Sequence, residues 1–286
     1  MKIGVMLDSF RRGWEESLDA AASLGIGGVQ LTVDVGNLTA EALREYPVRE
    51  TLESLASRGL QLTALCGLSG YEYNDPGQND VCVEKTCFAL ELACRLGCGI
   101  VTSHIGTVPA EECREKAAMR DALNRISVCG DRVGACFAVE TGPEPGEVLG
   151  AFLDSLDGNG IGINFDPANL VMCAGDRPEN AMKYLGKYTV HTHAKDGVML
   201  SKKIEEARAE GRETPEYDAL LARGRTFLEV PLGEGDVDFD VYLPALAATG
   251  FDGYLTIERE VGADPAKDIA LAVNFLRDKM KKYGIR

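Results

Sequence analysis

The chain has 286 residues, of which 45% are hydrophobic, so it can form one large domain or two small ones with a substantial core. Its formal net charge of −15, from 45 acidic and 30 basic residues, disfavours a nucleic-acid partner because phosphates would be repelled. An odd count of nine cysteines favours reduced, buried thiols, and no apolar run of about 18 residues or leader-like N-terminus is present, so we expect a soluble cytoplasmic protein with no membrane partner.

Short runs rich in Val, Ile, Leu and Thr alternate along the chain with longer segments of helical periodicity. The runs predict strands at 3–8, 28–33, 60–66, 100–104, 136–140, 161–166, 188–193 and 254–258. Capping and stop signals predict helices at 14–24, 39–57, 81–96, 109–128, 146–156, 178–185, 239–249 and 265–283. Eight strands, each followed by a helix, predict a single-domain (β/α)₈ TIM barrel over residues 1–286. An open doubly wound sheet is disfavoured, since no Gly-x-Gly-x-x-Gly turn follows the first strand.

One connection is much longer than the others. Residues 197–238 form an insert between the seventh and eighth predicted strands, and they include a charged, helix-prone stretch at 201–211. An insert on this side of a barrel would lie over its mouth, where lids and specificity loops lie. The alternative is a solvated excursion remote from any substrate.

Four consecutive predicted strands end on residues that can bind a metal ion: Glu140, Asp166, His193 and Glu258. Strand ends converge on one face of a barrel, so these side chains should become neighbours. A charged group at the end of a buried strand is costly unless it is paired, hydrogen-bonded or bound to a cation. Three carboxylates and one imidazole suit one divalent ion; we favour Mn²⁺ over Mg²⁺, Co²⁺, Fe²⁺ and Zn²⁺.

The alternation of a strand separates neighbouring candidates. Residues 191, 193 and 195 share one side, so His191 should lie one layer below His193, and Lys195 above it. Glu260 shares a side with Glu258 and remains a rival ligand. His104 ends the fourth predicted strand and points into the same mouth, where it could bind a substrate hydroxyl or be an ordinary rim histidine.

The motifs at these strand ends resemble those of the xylose isomerase-like TIM-barrel proteins, the sugar phosphate isomerase/epimerase family, over nearly the whole chain. They are Ala-Val-Glu-Thr-Gly at 138–142, Phe-Asp-Pro-Ala-Asn at 165–169, His-Thr-His-Ala-Lys-Asp at 191–196, Pro-Leu-Gly-Glu-Gly-Asp at 231–236 and the segment 251–258.

The resemblance implies an isomerase or epimerase that acts on a sugar, sugar acid or cyclitol through an enediolate-type proton transfer. It assigns metal binding to Glu140, Asp166, His193 and Glu258, which favours Glu258 over Glu260, and acid/base catalysis to the two glutamates. His104 and Lys195 become candidate substrate contacts.

The chain departs from the ketose epimerases of this family at Gly146, Asn169 and Met199, where a glutamate, a histidine and an arginine would be expected. The sequence His-Ala-Lys-Asp instead resembles the inosose isomerase and dehydratase branch. A metal-dependent dehydratase is therefore the alternative activity, and a non-catalytic sugar-binding or accessory subunit is the alternative outside enzymes; a homo-oligomer is also compatible with the sequence.

The related apurinic-site endonucleases share a few of these residues. They require a trinuclear zinc cluster with several more histidines, whereas this chain has three histidines in total. Together with the net charge, this argues against a nuclease and favours a small-molecule sugar or cyclitol as the partner.

Overall fold

The computed structural model describes residues 1–34, 36, 38–68 and 73–285. Its strands are β1 (Lys2–Met6), β2 (Gly28–Asp34), β3 (Gln61–Leu68), β4 (Ile100–Ser103), β5 (Cys136–Glu140), β6 (Ile161–Phe165), β7 (Thr189–Ala194), β8 (Asp196–Met199), β9 (Phe227–Val230) and β10 (Tyr254–Ile257). Eight of them form a closed barrel in the order β1, β2, β3, β4, β5, β6, β7, β10, and every pair is parallel. The predicted single-domain TIM barrel is confirmed.

Helices surround the barrel, and most lie where the sequence predicted them. They are α1 (Trp14–Ser23), α2 (Ala40–Glu45), α3 (Val48–Ala56), α4 (Asn79–Arg95), α5 (Arg114–Val133), α6 (Gly146–Leu153), α7 (Pro167–Asn169), α8 (Pro178–Leu185), α9 (Leu200–Ala209), α10 (Pro215–Ala222), α11 (Phe239–Ala248) and α12 (Pro265–Lys282). Side chains such as Met119, Leu123 and Ile126 on α5 recur at helical spacing and are fully buried. Each such burial contributes about 1.5–3 kcal/mol to the outer core between strands and helices.

The structure departs clearly from the prediction in three elements. The helix expected at 39–57 is two helices, because Pro47 lacks the backbone N–H that would continue α2. The first strand ends at Met6, and Asp8 lies in a 3₁₀ helix, Leu7–Phe10. The helix expected at 109–128 begins at Arg114, where Cys113 caps it, and continues to Val133 before Gly134 at φ +74°.

The helix-prone stretch at 201–211 is helix α9, but the rest of the secondary structure of the insert was not predicted. Strands β8 and β9 form a separate antiparallel ribbon, with Gly197 opposite Glu229, and α9 and α10 connect them. Helix α10 has no buried residue, whereas Glu229 on β9 is only 6% exposed. The base of the insert therefore lies against the barrel mouth, and its outer half is exposed to solvent.

The burial of the thiols was only partly predicted. No disulfide bond links the cysteines of the described residues, as expected, but Cys94, Cys113 and Cys173 are exposed, so the prediction of buried thiols does not hold for all nine. No helix among the described residues is long and apolar enough to cross a membrane.

Candidate metal centre

The structure brings Glu140, Asp166, His193 and Glu258 together at the carboxyl ends of four adjacent barrel strands. Glu140 ends β5, Asp166 follows β6, His193 lies near the end of β7 and Glu258 follows β10. Each is at most 8% exposed. One ligand atom from each can be chosen so that all four lie within 4.8 Å of one another. One chain thus supplies a compact set of four oxygen and nitrogen donors.

His193 lies at the centre of this cluster. Its Nδ1 is 3.4 Å from Glu140 Oε1, 3.6 Å from Asp166 Oδ2 and 3.1 Å from Glu258 Oε2. These separations are of the size expected for atoms that share one cation, since metal–ligand bonds of about 2.0–2.2 Å place adjacent ligands roughly 3 Å apart.

The two oxygens of Asp166 have different surroundings. Oδ1 accepts hydrogen bonds from the backbone N–H groups of Ala168 and Asn169 and so caps α7. Oδ2 is buried and has no hydrogen-bond partner among the described residues. A buried carboxylate oxygen without a partner costs free energy unless a cation contacts it, so the donor set fits a divalent ion.

A glutamine in the barrel interior orients His193. Gln30, in the middle of β2, donates from Nε2 to Thr102 Oγ1 at 2.8 Å, and its Oε1 lies 2.9 Å from His193 Nε2. With the amide in this orientation, His193 donates from Nε2 and its Nδ1 faces the carboxylates. Sequence reasoning missed Gln30, although a polar residue within the apolar run Val29–Leu31 was a signal.

His191 lies one layer below the cluster. Its Nδ1 contacts Asn164 Oδ1 at 2.9 Å and its Nε2 contacts Thr256 Oγ1 at 3.2 Å. Burial, helped by the charge of His193, lowers the pKa of His191 to about 3, so this ring is neutral. The same Asn164 donates to Glu140 Oε2 at 3.2 Å. His191 thus supports the cluster from beneath and lies outside the set of four donors.

Lys195 lies beside Glu258 and is 5% exposed. Its Nζ donates to Glu258 Oε2 at 2.9 Å and to Glu260 Oε2 at 2.6 Å. The Glu260 side chain is 61% exposed and lies outside the four-residue cluster. Lys195 therefore connects a buried glutamate of the cluster to an exposed glutamate at the barrel mouth.

The charges of these groups are strongly interdependent. Burial alone would lower the pKa of His193 and of Lys195, but the nearby carboxylates, Glu258 foremost, raise both well above their ordinary values. Burial would raise the pKa of Glu258, yet His193 and Lys195 hold it well below its usual range. The cluster therefore attracts positive charge, which a divalent cation would supply.

The remaining predicted residues lie around this centre. His104 follows β4, its side chain is 64% exposed, and its Nε2 is 3.6 Å from Glu140 Oε1. Asn169 donates from Nδ2 to the same Glu140 oxygen at 3.1 Å. Gly146 lies where α6 touches α8, and a Cβ there would overlap Ala181, so packing excludes a glutamate at this position. Met199 ends β8, in the insert.

A cavity of about 250 Å³ opens beside Glu258. Its outer wall carries Asp8, Arg11 and Glu260, and Thr32 lies on the strand side with a buried hydroxyl that has no hydrogen-bond partner among the described residues. Arg11 is the non-glycine residue with positive φ, +51°, in the described chain, and it donates to the Gly262 carbonyl. The sequence predicted Asp8, at the end of the first strand, as part of the pocket wall, but nothing in it indicated Arg11.

Comparisons with known proteins agree with this architecture. Inosose dehydratase of Clostridium perfringens is 31% identical over 137 residues, which are 48% of this chain and 41% of that protein, so this chain spans less than half the length of that relative. Among solved structures, a xylose isomerase domain protein from Planctomyces limnophilus has a TM-score of 0.74 at 24% identity and covers 93% of this chain and 91% of its own.

Two further structures share the fold at lower identity. A D-tagatose 3-epimerase-like protein has a TM-score of 0.71 at 18% identity, with 99% of this chain and 100% of that chain covered. A xylose isomerase-like TIM barrel protein from Mycobacterium smegmatis, in complex with magnesium, has a TM-score of 0.68 at 15% identity, with 98% and 97% covered. A family model described as xylose isomerase-like TIM barrel matches residues 18–279. This chain belongs to the xylose isomerase-like TIM barrel family.

Proposed function

We propose that this protein is a divalent-metal-dependent isomerase or epimerase of a sugar, sugar acid or cyclitol. The observation that carries the proposal is the buried cluster of Glu140, Asp166, His193 and Glu258, in which Asp166 Oδ2 has no hydrogen-bond partner among the described residues. Mn²⁺ is the proposed ion, and Mg²⁺, Co²⁺, Fe²⁺ and Zn²⁺ suit the same oxygen and nitrogen donors.

The reaction would be a proton transfer at a carbon beside a carbonyl. A divalent cation at this centre would stabilise the negative charge that develops on the substrate oxygens. Glu140 ends β5 and Glu258 follows β10, and these two strands lie on opposite sides of β7 in the barrel. One carboxylate would remove the proton and the other would return one to the opposite face of the substrate. His104 and Lys195 would contact substrate hydroxyls.

Lys195 supports a second candidate, a dehydratase. A buried ammonium group 2.9 Å from Glu258 places a proton donor on that side of the centre, next to a carboxylate. Glu140 would remove the proton from a hydroxyl-bearing carbon beside the carbonyl. The hydroxyl of the next carbon, protonated by Lys195, would leave as water, and the product would be an enol. The likeness to inosose dehydratase, which extends over 48% of this chain, also favours this outcome.

The deciding experiment is incubation of the purified protein with Mn²⁺ and a panel of ketoses, sugar acids and inososes in D₂O. Suppose the product carries deuterium at a C–H position, has lost no water and differs from the substrate in configuration. That result supports the isomerase or epimerase. A product lighter by one water supports the dehydratase. Glu140→Gln and Glu258→Gln should abolish either reaction. Tight sugar binding without exchange would instead indicate a non-catalytic sugar-binding or accessory subunit.

A further inference from the structure

The insert contributes one buried carboxylate to the catalytic face of the barrel. Glu229 lies on β9, opposite Gly197 in the ribbon and therefore close in space to Lys195, which precedes β8. It is 6% exposed, although most of the insert beyond it is open to solvent. A charged side chain is seldom buried at the base of a surface excursion unless specific partners hold it.

The partners of Glu229 are the residues that follow Glu258. Its Oε1 accepts a hydrogen bond from Arg259 Nη1 at 2.6 Å, and both of its oxygens accept from the backbone N–H of Glu260, at 3.2 and 3.3 Å. Arg259 also donates from Nε to Asp268 Oδ2 at 2.9 Å. Glu229 thus holds the segment 258–260 from the side of the insert.

Glu229 also separates two buried cations. Its Oε2 lies 4.0 Å from Lys195 Nζ, while Oε1 faces Arg259. Lys195 is 5% exposed and Arg259 7%, so water screens neither charge well. Without the carboxylate between them the repulsion between the two cations would no longer be offset.

We propose that Glu229 is a positioning residue, through which the insert keeps Lys195 and the segment 258–260 in their working geometry. The inference rests on the proposed function, since it concerns the placement of Lys195 and Glu258 for that reaction. By this proposal the insert is part of the catalytic apparatus, because the carboxylate between Lys195 and Arg259 comes from strand β9 of the ribbon.

The test compares Glu229→Gln with Glu216→Gln. Glutamine keeps the shape of the side chain and one oxygen that can accept from Arg259 and Glu260, whereas the charge and the second acceptor oxygen are lost. Glu216 is an exposed glutamate on α10 of the same insert, which makes it a matched control. We expect kcat of Glu229→Gln to fall about 10- to 100-fold, as for a misplaced catalytic group, and KM to rise as Lys195 loses its contact with the substrate, whereas both constants stay at wild-type values in Glu216→Gln.

A second readout does not depend on activity. Lys195 is acetylated with acetic anhydride and the rate is followed by mass spectrometry, with exposed Lys267 as the internal reference. In Glu229→Gln we expect Lys195 to react at least about fivefold faster relative to Lys267, since a displaced lysine is more accessible. If the glutamine variant does not fold, Glu229→Asp, which retracts the carboxylate by one methylene, should change both readouts in the same direction.

A folded Glu229→Gln with wild-type kcat and wild-type labelling of Lys195 overturns the proposal, as does an equal effect in Glu216→Gln. If the wild-type protein turns over none of the panel substrates but the labelling of Lys195 still rises in Glu229→Gln, the proposed function fails and the positioning by Glu229 stands.

Discussion

The backbone N–H of Gly235 donates to Asp196 Oδ2 at 3.0 Å, which joins the first residue of the insert ribbon to the loop that leads back to the barrel. Gly233 donates to the same oxygen, and Gly197 and Val237 donate to Oδ1. A Cβ at Gly235 would overlap Asp196 Oδ1, so this approach requires glycine. Four N–H donors around one buried carboxylate hold together both ends of an insert of about forty residues and, with it, the position of Lys195.

Asp196→Asn should loosen the insert, because an amide nitrogen replaces one oxygen that accepts two of these hydrogen bonds. We expect a loss of about 2–3 kcal/mol in the free energy of unfolding, measured by urea denaturation, and faster proteolysis between residues 200 and 230. Asp252→Asn, on an exposed turn, is the control and should change neither measurement. Wild-type stability in Asp196→Asn would contradict this role.

Glu144 should make stability depend on pH. Burial raises the pKa of this carboxyl from 4.5 to about 7. Between these two pH values the folded protein holds a proton that the unfolded chain has lost. The free energy of unfolding therefore has its full contribution from protonated Glu144 below pH 4.5, and it falls by up to about 3 kcal/mol as the pH rises to 7. Glu144→Gln, which stays neutral, should be more stable than wild type at pH 8 and equal to it at pH 4. Parallel pH profiles of the two proteins would contradict the assignment.

Mn²⁺ should stabilise the folded protein. An ion that binds only the folded state adds about 2.7 kcal/mol at a concentration 100-fold above Kd. For a chain of this size that corresponds to roughly 5 °C in Tm, which calorimetry can resolve. Asp166→Asn removes the oxygen that lacks a partner and should abolish the shift, whereas Asp252→Asn should retain it. Equal shifts in both variants would place the ion elsewhere.

Gln30→Met should weaken metal binding without touching a ligand. The change keeps the volume of the side chain but leaves His193 Nε2–H without its acceptor. Loss of a group that orients a ligand typically costs about 10- to 100-fold in metal affinity, and titration calorimetry with Mn²⁺ measures it. An unchanged Kd would show that His193 is oriented by other contacts.

Lys195→Met should separate the two candidate reactions. If Lys195 protonates a leaving hydroxyl, the variant will lose dehydration while Glu140 still exchanges the substrate C–H with solvent. In an isomerase or epimerase that uses the two glutamates, the variant should retain product formation and lose mainly substrate affinity, as a rise in KM. Product mass spectra together with deuterium exchange distinguish these outcomes.

The sequence predicted the barrel well because its evidence is periodic and local. Each barrel strand is an apolar run that a turn signal ends, and eight such runs alternate with helices. It missed the break at Pro47 and the ribbon β8–β9, whose short strands sit among charged residues. At the site, strand alternation already placed His191 below His193, because the side chains of one strand alternate between two faces.

What the sequence determined by itself is the alternation of strands and helices, and therefore the barrel and the convergence of Glu140, Asp166, His193 and Glu258 at one of its ends. Only the tertiary structure decided which groups surround them: Gln30 behind His193, Glu229 between Lys195 and Arg259, and Asp196 within its four N–H donors. Apart from the bond between Asp196 and its neighbour Gly197, those contacts join residues from 30 to more than 160 positions apart, and their distances depend on how strands and insert pack. Local periodicity determines each element and its faces, whereas packing between distant elements determines which polar atoms meet.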